Sequence, residues 1–150
     1  MADEDYRRLL ALRTRLRGFL QWSEQQAGGA GLSPSQHQLL LAVRGHDDAR
    51  GPTIGEVADY LLLRHHSAVG LVDRAAEAGL VRRAADDRDG RVTRVRLTRR
   101  GDRLLQRLSA LHLAELGRLA SHLQPLLAGL ELEVTRDDHG GSRTPPTSSG

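Results

Sequence analysis

Residues 79–101 constrain the fold more than any other stretch of this chain. They read Gly-Leu-Val-Arg-Arg-Ala-Ala-Asp-Asp-Arg-Asp-Gly-Arg-Val-Thr-Arg-Val-Arg-Leu-Thr-Arg-Arg-Gly. Gly79 suits the left-handed position that ends a helix, and Leu80 supplies the apolar contact just beyond it. Residues 81–84 and 92–97 read as two short strands, the second turning Val95 and Leu97 to one face. Residues 86–90 form the turn between them, and Thr98 caps a following helix. The order is helix stop, charged hairpin, helix start. Residues 82–103 hold nine Arg and four Asp, a local +5 against +3 for the whole chain. A basic ribbon on a near-neutral body is the footprint of a chain that grips a polyanion.

The flanking sequence predicts helices. Over residues 6–26, Leu9, Leu12, Leu16 and Phe19 recur at spacings of three and four, with Arg7, Arg13, Arg15 and Arg17 between them. Gly28, Gly29, Ala30 and Gly31 are expected to end that helix as a flexible loop. Ser33, Pro34 and Gln36 form a capping box with Pro at the first helical position. The helix they open carries Leu39, Leu40 and Val43 and stops by Gly45. A polar loop over 46–52 leads to Thr53 and Glu56, a second capping box. Its helix turns Ile54, Val57, Ala58 and Leu61 inward. After a break at 62–64, a fourth helix runs to about Ala78, with Ala68, Leu71, Val72 and Ala75 facing the core. Two helices joined by so short a break make a helix-turn-helix, and a hairpin directly after it is a wing.

Downstream, Leu104, Leu108 and Leu111 read as one stripe. Leu116, Leu119, Leu123, Leu126 and Leu130 read as another. The two are out of phase at His112, which predicts a bend, bulge or break there. Pro125 predicts a kink or restart in the last turns. Residues 136–150 are Gly, Ser, Thr, Pro and charge, and are expected to form a disordered tail.

Composition supports a helical domain. A chain of 150 residues with only four aromatics builds its core from Leu, Val and Ala. All 22 fixed positive charges are Arg, whose fork fits phosphate and guanine where Lys offers a point charge. Cys is absent, which excludes disulfides and thiol redox sensing. No apolar run reaches the length of a membrane span, and no signal-peptide pattern opens the chain, so a cytoplasmic location is expected.

The chain resembles the multiple-antibiotic-resistance regulators, the MarR family. The matching residues are Gly79-Leu80-Val81, then Asp86-Asp87-Arg88-Asp89-Gly90-Arg91, then Val95-Arg96-Leu97-Thr98-Arg99-Arg100-Gly101. Leu71-Val72-Asp73-Arg74 matches the end of the family's recognition helix. The resemblance implies a homodimeric winged-helix protein that binds double-stranded DNA. It also implies repression from palindromic operators, with release by a small aromatic or phenolic ligand bound between the dimer helices and the DNA-binding lobe. Two positions depart from the family's wing, which often reads Asp-Pro-x-Asp-Arg-Arg. Asp87 stands in place of the Pro and Gly90 in place of the first Arg.

Within that frame the DNA-binding candidates are Arg64, His65, His66, Ser67, Arg74, Asp89, Arg91 and Arg94. The first four open the recognition helix, whose N-terminal side chains reach base edges in the major groove. Arg74 has two readings, a phosphate contact or a surface pair with Asp73 or Glu77. Arg91 is the candidate for minor-groove insertion, with Asp89 holding its guanidinium. Arg88, Arg94 and Arg96 read as phosphate contacts or solvated charges. A family-type effector pocket would involve Trp22, His37 and Leu41, although His37 reads first as a satisfied core histidine. Leu9, Leu12, Leu16, Leu116, Leu119, Leu123 and Leu126 are the dimerisation candidates, because the outer helices are too long for the lobe alone to bury.

The expected fold is mostly α with a small β-hairpin wing (α+β). It comprises a winged helix-turn-helix lobe over about 33–101, dimerisation helices over about 5–26 and 102–133, and a single domain over 1–135. No metal or cofactor is expected. His65 and His66 are adjacent and point apart on a helix, a poor chelate. No nucleophile with a partnered base and no phosphate-cradling Gly loop supports an enzyme. The alternatives are a winged-helix protein-interaction module without DNA binding, for which Gly90 speaks, and a metal-responsive regulator.

Overall fold

The computed structural model describes residues 2–137, with side chains as far as 128. Five helices and one hairpin follow in the order α1 (Asp3–Gly29), α2 (Pro34–Gly45), α3 (Ile54–Leu61), α4 (His65–Glu77), β1 (Val81–Ala85), β2 (Thr93–Leu97) and α5 (Arg99–Asp137). The chain divides into two compact units, residues 20–114 on one hand and the stretches up to 19 and from 115 on the other.

Local chemistry sets the helix starts of the first unit. Ser33 Oγ accepts the Gln36 N–H at 3.1 Å while Gln36 Oε1 accepts the Ser33 N–H at 3.0 Å. Thr53 and Glu56 repeat the arrangement at 3.2 and 2.7 Å. Thr98 opens α5 by accepting the Gly101 N–H at 3.1 Å, and its hydroxyl donates back to the carbonyl of Gly79 at 2.6 Å. That one side chain ties the end of α4 to the start of α5.

Three helices stop in the same way. In each, two backbone bonds close the last turn around a residue with positive φ. Gly31 does this for α1, with Leu32 N–H on Ala27 O at 2.9 Å and Gly31 N–H on Gly28 O at 3.0 Å. Gly79 does it for α4, with Leu80 N–H on Ala75 O and Gly79 N–H on Ala76 O, both at 2.9 Å. Leu62 does it for α3, with Leu63 N–H on Ala58 O at 2.9 Å and Leu62 N–H on Asp59 O at 3.3 Å.

β1 and β2 pair antiparallel from Val81↔Leu97 to Ala85↔Thr93. The segment before α3 joins them through a bridge between Thr53 and Arg94, and the Val95 N–H donates to Pro52 O at 2.8 Å. Val95, fully buried, packs with Leu39, Leu40, Val57, Val72, Leu80 and Val81 in an aliphatic core without aromatics. This is the α+β winged helix-turn-helix the sequence predicts.

Four expectations change. First, α1 continues through Gly28 and Gly29, and the chain leaves the helix only where Gly31 takes the left-handed turn. Second, α5 does not break at His112. Leu105 and Leu108 are the buried residues of its first turns, and Leu111 is half exposed. Leu105, Leu108 and His112 are the inward positions of this stretch, and Leu116, Leu119, Leu123 and Leu126 continue the same three-and-four spacing without a slip. The phase slip came from assigning Leu104 and Leu111 to the stripe. Third, the helix runs through Pro125 without a restart. Fourth, Arg136 and Asp137 are the last residues of α5, and the remainder of the tail expected over 136–150 lies outside the described residues.

In the second unit Leu9, Leu16 and Leu116 are each more than two-fifths exposed, and Leu12, Leu119, Leu123 and Leu126 are partly buried. Leu130 lies beyond the described side chains. No helix among the described residues is long and apolar enough to cross a membrane.

Candidate nucleic-acid interface

α4 begins without a side-chain cap. Arg64 takes the extended N-cap conformation, and its guanidinium does not turn back to the helix. The first N–H groups of α4 therefore keep free donor capacity, which together with the helix dipole favours a phosphate. Arg64, His65 and His66 are exposed and Ser67 is partly so. Arg74 is exposed one turn from the end of α4 and makes no ion pair among the described residues. Asp73 pairs instead with Arg83 of β1 at 2.7 Å.

The wing turn is built on Asp86. Its carboxylate is almost fully buried and accepts four bonds. They come from the N–H groups of Arg88 (2.8 Å) and Asp89 (3.1 Å), Nε of Arg94 (2.7 Å) and Nη1 of Arg50 (2.9 Å). The backbone donor at Arg88 and then the Arg94 guanidinium hold the Asp86 carboxyl down at about 2. Arg94 also donates to the carbonyl of Gly51 at 3.0 Å, and its side chain is 12% exposed. Arg94 is thus an internal strut. This burial counts against the expectation that it meets phosphate, with Nε–H held by Asp86 and an Nη1–H by Gly51. Arg96 is likewise drawn inward, donating from Nε to Arg50 O at 3.0 Å.

Beyond this base, Asp89 and Arg91 form a fork at the tip. Asp89 Oδ1 accepts both the backbone N–H and the Nε–H of Arg91 at 3.1 Å, and Oδ2 accepts Nη2 at 3.3 Å. The Arg91 side chain is 92% exposed, so the guanidinium is aimed while facing solvent. Bonding to Arg91 lowers the Asp89 pKa. As a surface ion pair the fork adds little stability; what it supplies is a fixed direction.

A shallow groove of about 260 Å³ separates the wing from the helix-turn-helix. Thr53, Ile54 and Gly55 line it from the start of α3, His65 from α4, and Arg91, Val92 and Thr93 from the wing. It brings together two residues singled out from sequence, His65 and Arg91, which lie far apart in the chain.

Sequence reasoning missed Asp48, Arg50 and Asp86. Arg50 bridges the 46–52 loop to the wing, with Nε on Asp48 Oδ1 at 3.1 Å and Nη1 on Asp86. Asp48-x-Arg50 folds as Asp89-x-Arg91 does, with the backbone N–H of Arg50 also on Asp48 Oδ1, at 2.9 Å. That shared spacing was the available signal.

Two of the three proposed effector residues, Trp22 and His37, occupy packed space. His37, 7% exposed, lies with its ring centroid 4.7 Å from that of His112, and the Trp22 ring lies 5.0 Å from His112. His112 donates Nδ1–H to Leu108 O at 2.7 Å, and its Nε2 meets Ser23 Oγ at 2.6 Å. Leu41, one turn after His37, is more than half exposed. Trp22 and His37 therefore belong to a ring cluster centred on His112, a residue the effector assignment left out. Among the described residues no three His, Cys, Asp or Glu side chains converge on a point that could hold a metal.

A helix-turn-helix followed by a two-stranded wing with an aimed arginine defines a winged-helix lobe. Residues 30–92 match the MarR family. The fold of this chain is shared by solved MarR-type structures. A MepR variant from S. aureus, bound to an oligodeoxyribonucleotide, is 18% identical over 83% of this chain and 94% of that one, with a TM-score of 0.61. CouR from Rhodococcus jostii RHA1, bound to p-coumaroyl-CoA, is 24% identical over 89% and 93%, with a TM-score of 0.67. A MarR family protein from Bacillus stearothermophilus is 23% identical over 90% and 99%, with a TM-score of 0.69. No curated protein matches the chain.

Proposed function

We propose that this protein is a non-catalytic, cytoplasmic transcriptional regulator that binds a palindromic duplex as a homodimer and represses nearby genes. The groove shared by His65 and Arg91 carries the reading. It sets a recognition-helix N-terminus and an aimed guanidinium side by side, the arrangement needed to engage a major groove and the neighbouring minor groove together. Arg64, His65, His66 and Ser67 would face base edges, Arg91 held by Asp89 would enter the minor groove, and Arg74 would meet phosphate. The part-exposed Leu9, Leu12, Leu16, Leu116, Leu119, Leu123 and Leu126 would be covered by a second copy. A two-fold pair would then place its recognition helices about 34–36 Å apart. The oligonucleotide bound to the MepR variant supports the DNA reading, and the acyl-CoA bound to CouR supports release by a small ligand.

The test is a mobility shift with the duplex immediately upstream of the protein's own gene. Affinity should fall steeply as salt rises from about 50 to about 200 mM, because Arg–phosphate contacts release counterions. Arg91→Ala should bind roughly tenfold more weakly with the dimer intact. Affinity that ignores salt, or an Arg91→Ala protein that binds normally, rejects this account.

A further inference from the structure

The helix stops of α1, α3 and α4 share one geometry but not one chemistry. α1 and α4 place glycine at the left-handed position, and the leucine after it is buried, Leu32 at 4% and Leu80 at 2% exposed. α3 places Leu62 there, at φ 54° and ψ 42°. A side chain with a Cβ adopts this conformation at a cost that glycine avoids. Nothing in the fold recovers that cost. Leu62 is 93% exposed, the highest value among the large apolar side chains of the described residues, and Leu63 after it is 36% exposed. A strained backbone and an uncovered leucine coincide at one residue, where the same chain twice shows the relaxed solution.

Position says what covers it. Leu62 ends α3 two residues before Arg64, the N-cap of α4, so it stands in the turn that leads into Arg64, His65 and His66 at the start of the recognition helix. At 93% exposure it lies outside the core that takes Leu32 and Leu80. We infer that Leu62 is an apolar contact to the duplex, lying on the deoxyribose carbons of the groove wall as α4 enters the major groove. This rests on the DNA-binding reading above and adds to it a residue that no charge or hydrogen-bond criterion selects. Sugar contacts set orientation without carrying sequence information, so Leu62 would fix the depth and angle at which His65 and His66 meet the bases.

Three variants test it on the same upstream duplex. Leu62→Gly and Leu62→Asn keep the left-handed turn and remove the apolar side chain; Leu62→Met keeps an apolar chain of similar size. Leu62→Gly should fold with an unchanged or raised Tm, since the strain is relieved, yet bind DNA roughly tenfold more weakly. Leu62→Asn should lose a similar factor, and Leu62→Met should bind like the wild type. The slope of log affinity against log salt should stay at the wild-type value in all three, because an apolar contact releases no counterions. Wild-type affinity in Leu62→Gly or Leu62→Asn overturns the inference, and so does a shallower slope, which would mark a lost ionic contact. A wild-type protein that fails to shift the duplex at all would remove the DNA-binding reading, and this inference with it.

Discussion

Asp86 accepts the Nε–H of Arg94 at 2.7 Å across the base of the hairpin, and both side chains are nearly closed to solvent. This pair converts a charged turn into a rigid one. The same carboxylate accepts the N–H groups of Arg88 and Asp89, so the backbone that leads into Arg91 is fixed from below.

Asp86→Ala should therefore lower Tm and weaken DNA binding together, because it releases the wing turn and removes the carboxylate that Arg50 and Arg94 share. The pH dependence has a definite sign. The folded carboxyl is held at about 2 against an ordinary value of 3.8. Its stabilisation is complete above the unfolded value and is lost as pH falls from there through about 2. Acid unfolding monitored by circular dichroism should show this limb in the wild type and a smaller one in Asp86→Asn.

Two glycines are required by close approach of backbone. A Cβ on Gly101 would stand 2.1 Å from Leu80 O, and one on Gly51 would stand 2.1 Å from Val95 O, with Gly51 also at φ +87°. Gly101→Ala and Gly51→Ala should each cost at least about 2 kcal/mol in denaturant unfolding. A cost below about 0.5 kcal/mol at either site would contradict the packing of α5 and of the 46–52 loop against the lobe.

The parts of the fold that were legible in the sequence are those decided within a few residues. Ser33 with Gln36, Thr53 with Glu56, and Gly79 with Leu80 act on their own turns, so their spacing is enough to place them. The inward turn of Arg94 was not legible, because its acceptor Gly51 O is 43 residues upstream and nothing local marks the residue as inward. His112 was misjudged for another reason. A histidine was not counted among the apolar inward positions, and leaving it out produced a phase slip that the helix does not have. At the interface, Asp89 and Arg91 were readable as a pair by spacing, whereas the groove joining Arg91 to His65 depends on how the hairpin folds back. Leu62 was invisible to a search for charge and polarity.

His37 sets a second pH dependence, at milder values. Burial first, and the neighbouring His112 second, lower its pKa from 6.5. The unfolded chain takes up a proton near 6.5 that the folded chain resists. Stability is therefore full above that value and is lost as pH falls through the folded pKa. Ser23, Trp22 and His112 face this cluster from α1 and α5. Melting temperatures measured from about pH 7.5 to about pH 5 should decline in the wild type and decline less in His37→Gln. Equal profiles would mean that His37 titrates alike in the folded and unfolded chains.

Gly90 is the residue at which the wing departs most from the pattern of the family it resembles, and the structure shows that the departure is not conformational. Its φ lies outside the left-handed range, it is exposed, and an added Cβ would meet nothing within 4 Å. Any side chain fits, so the tip lacks a cation there without gaining a tighter turn. Gly90→Arg should leave stability within about 0.5 kcal/mol of the wild type. It should strengthen binding to the upstream duplex and steepen the log–log salt slope by roughly 0.9, the contribution of one further phosphate contact. Asp89 already engages Arg91 through both oxygens, which leaves an arginine at position 90 free to reach the backbone of the duplex. An unchanged slope in Gly90→Arg would place position 90 outside the contact and leave Arg91 to carry the tip of the wing alone.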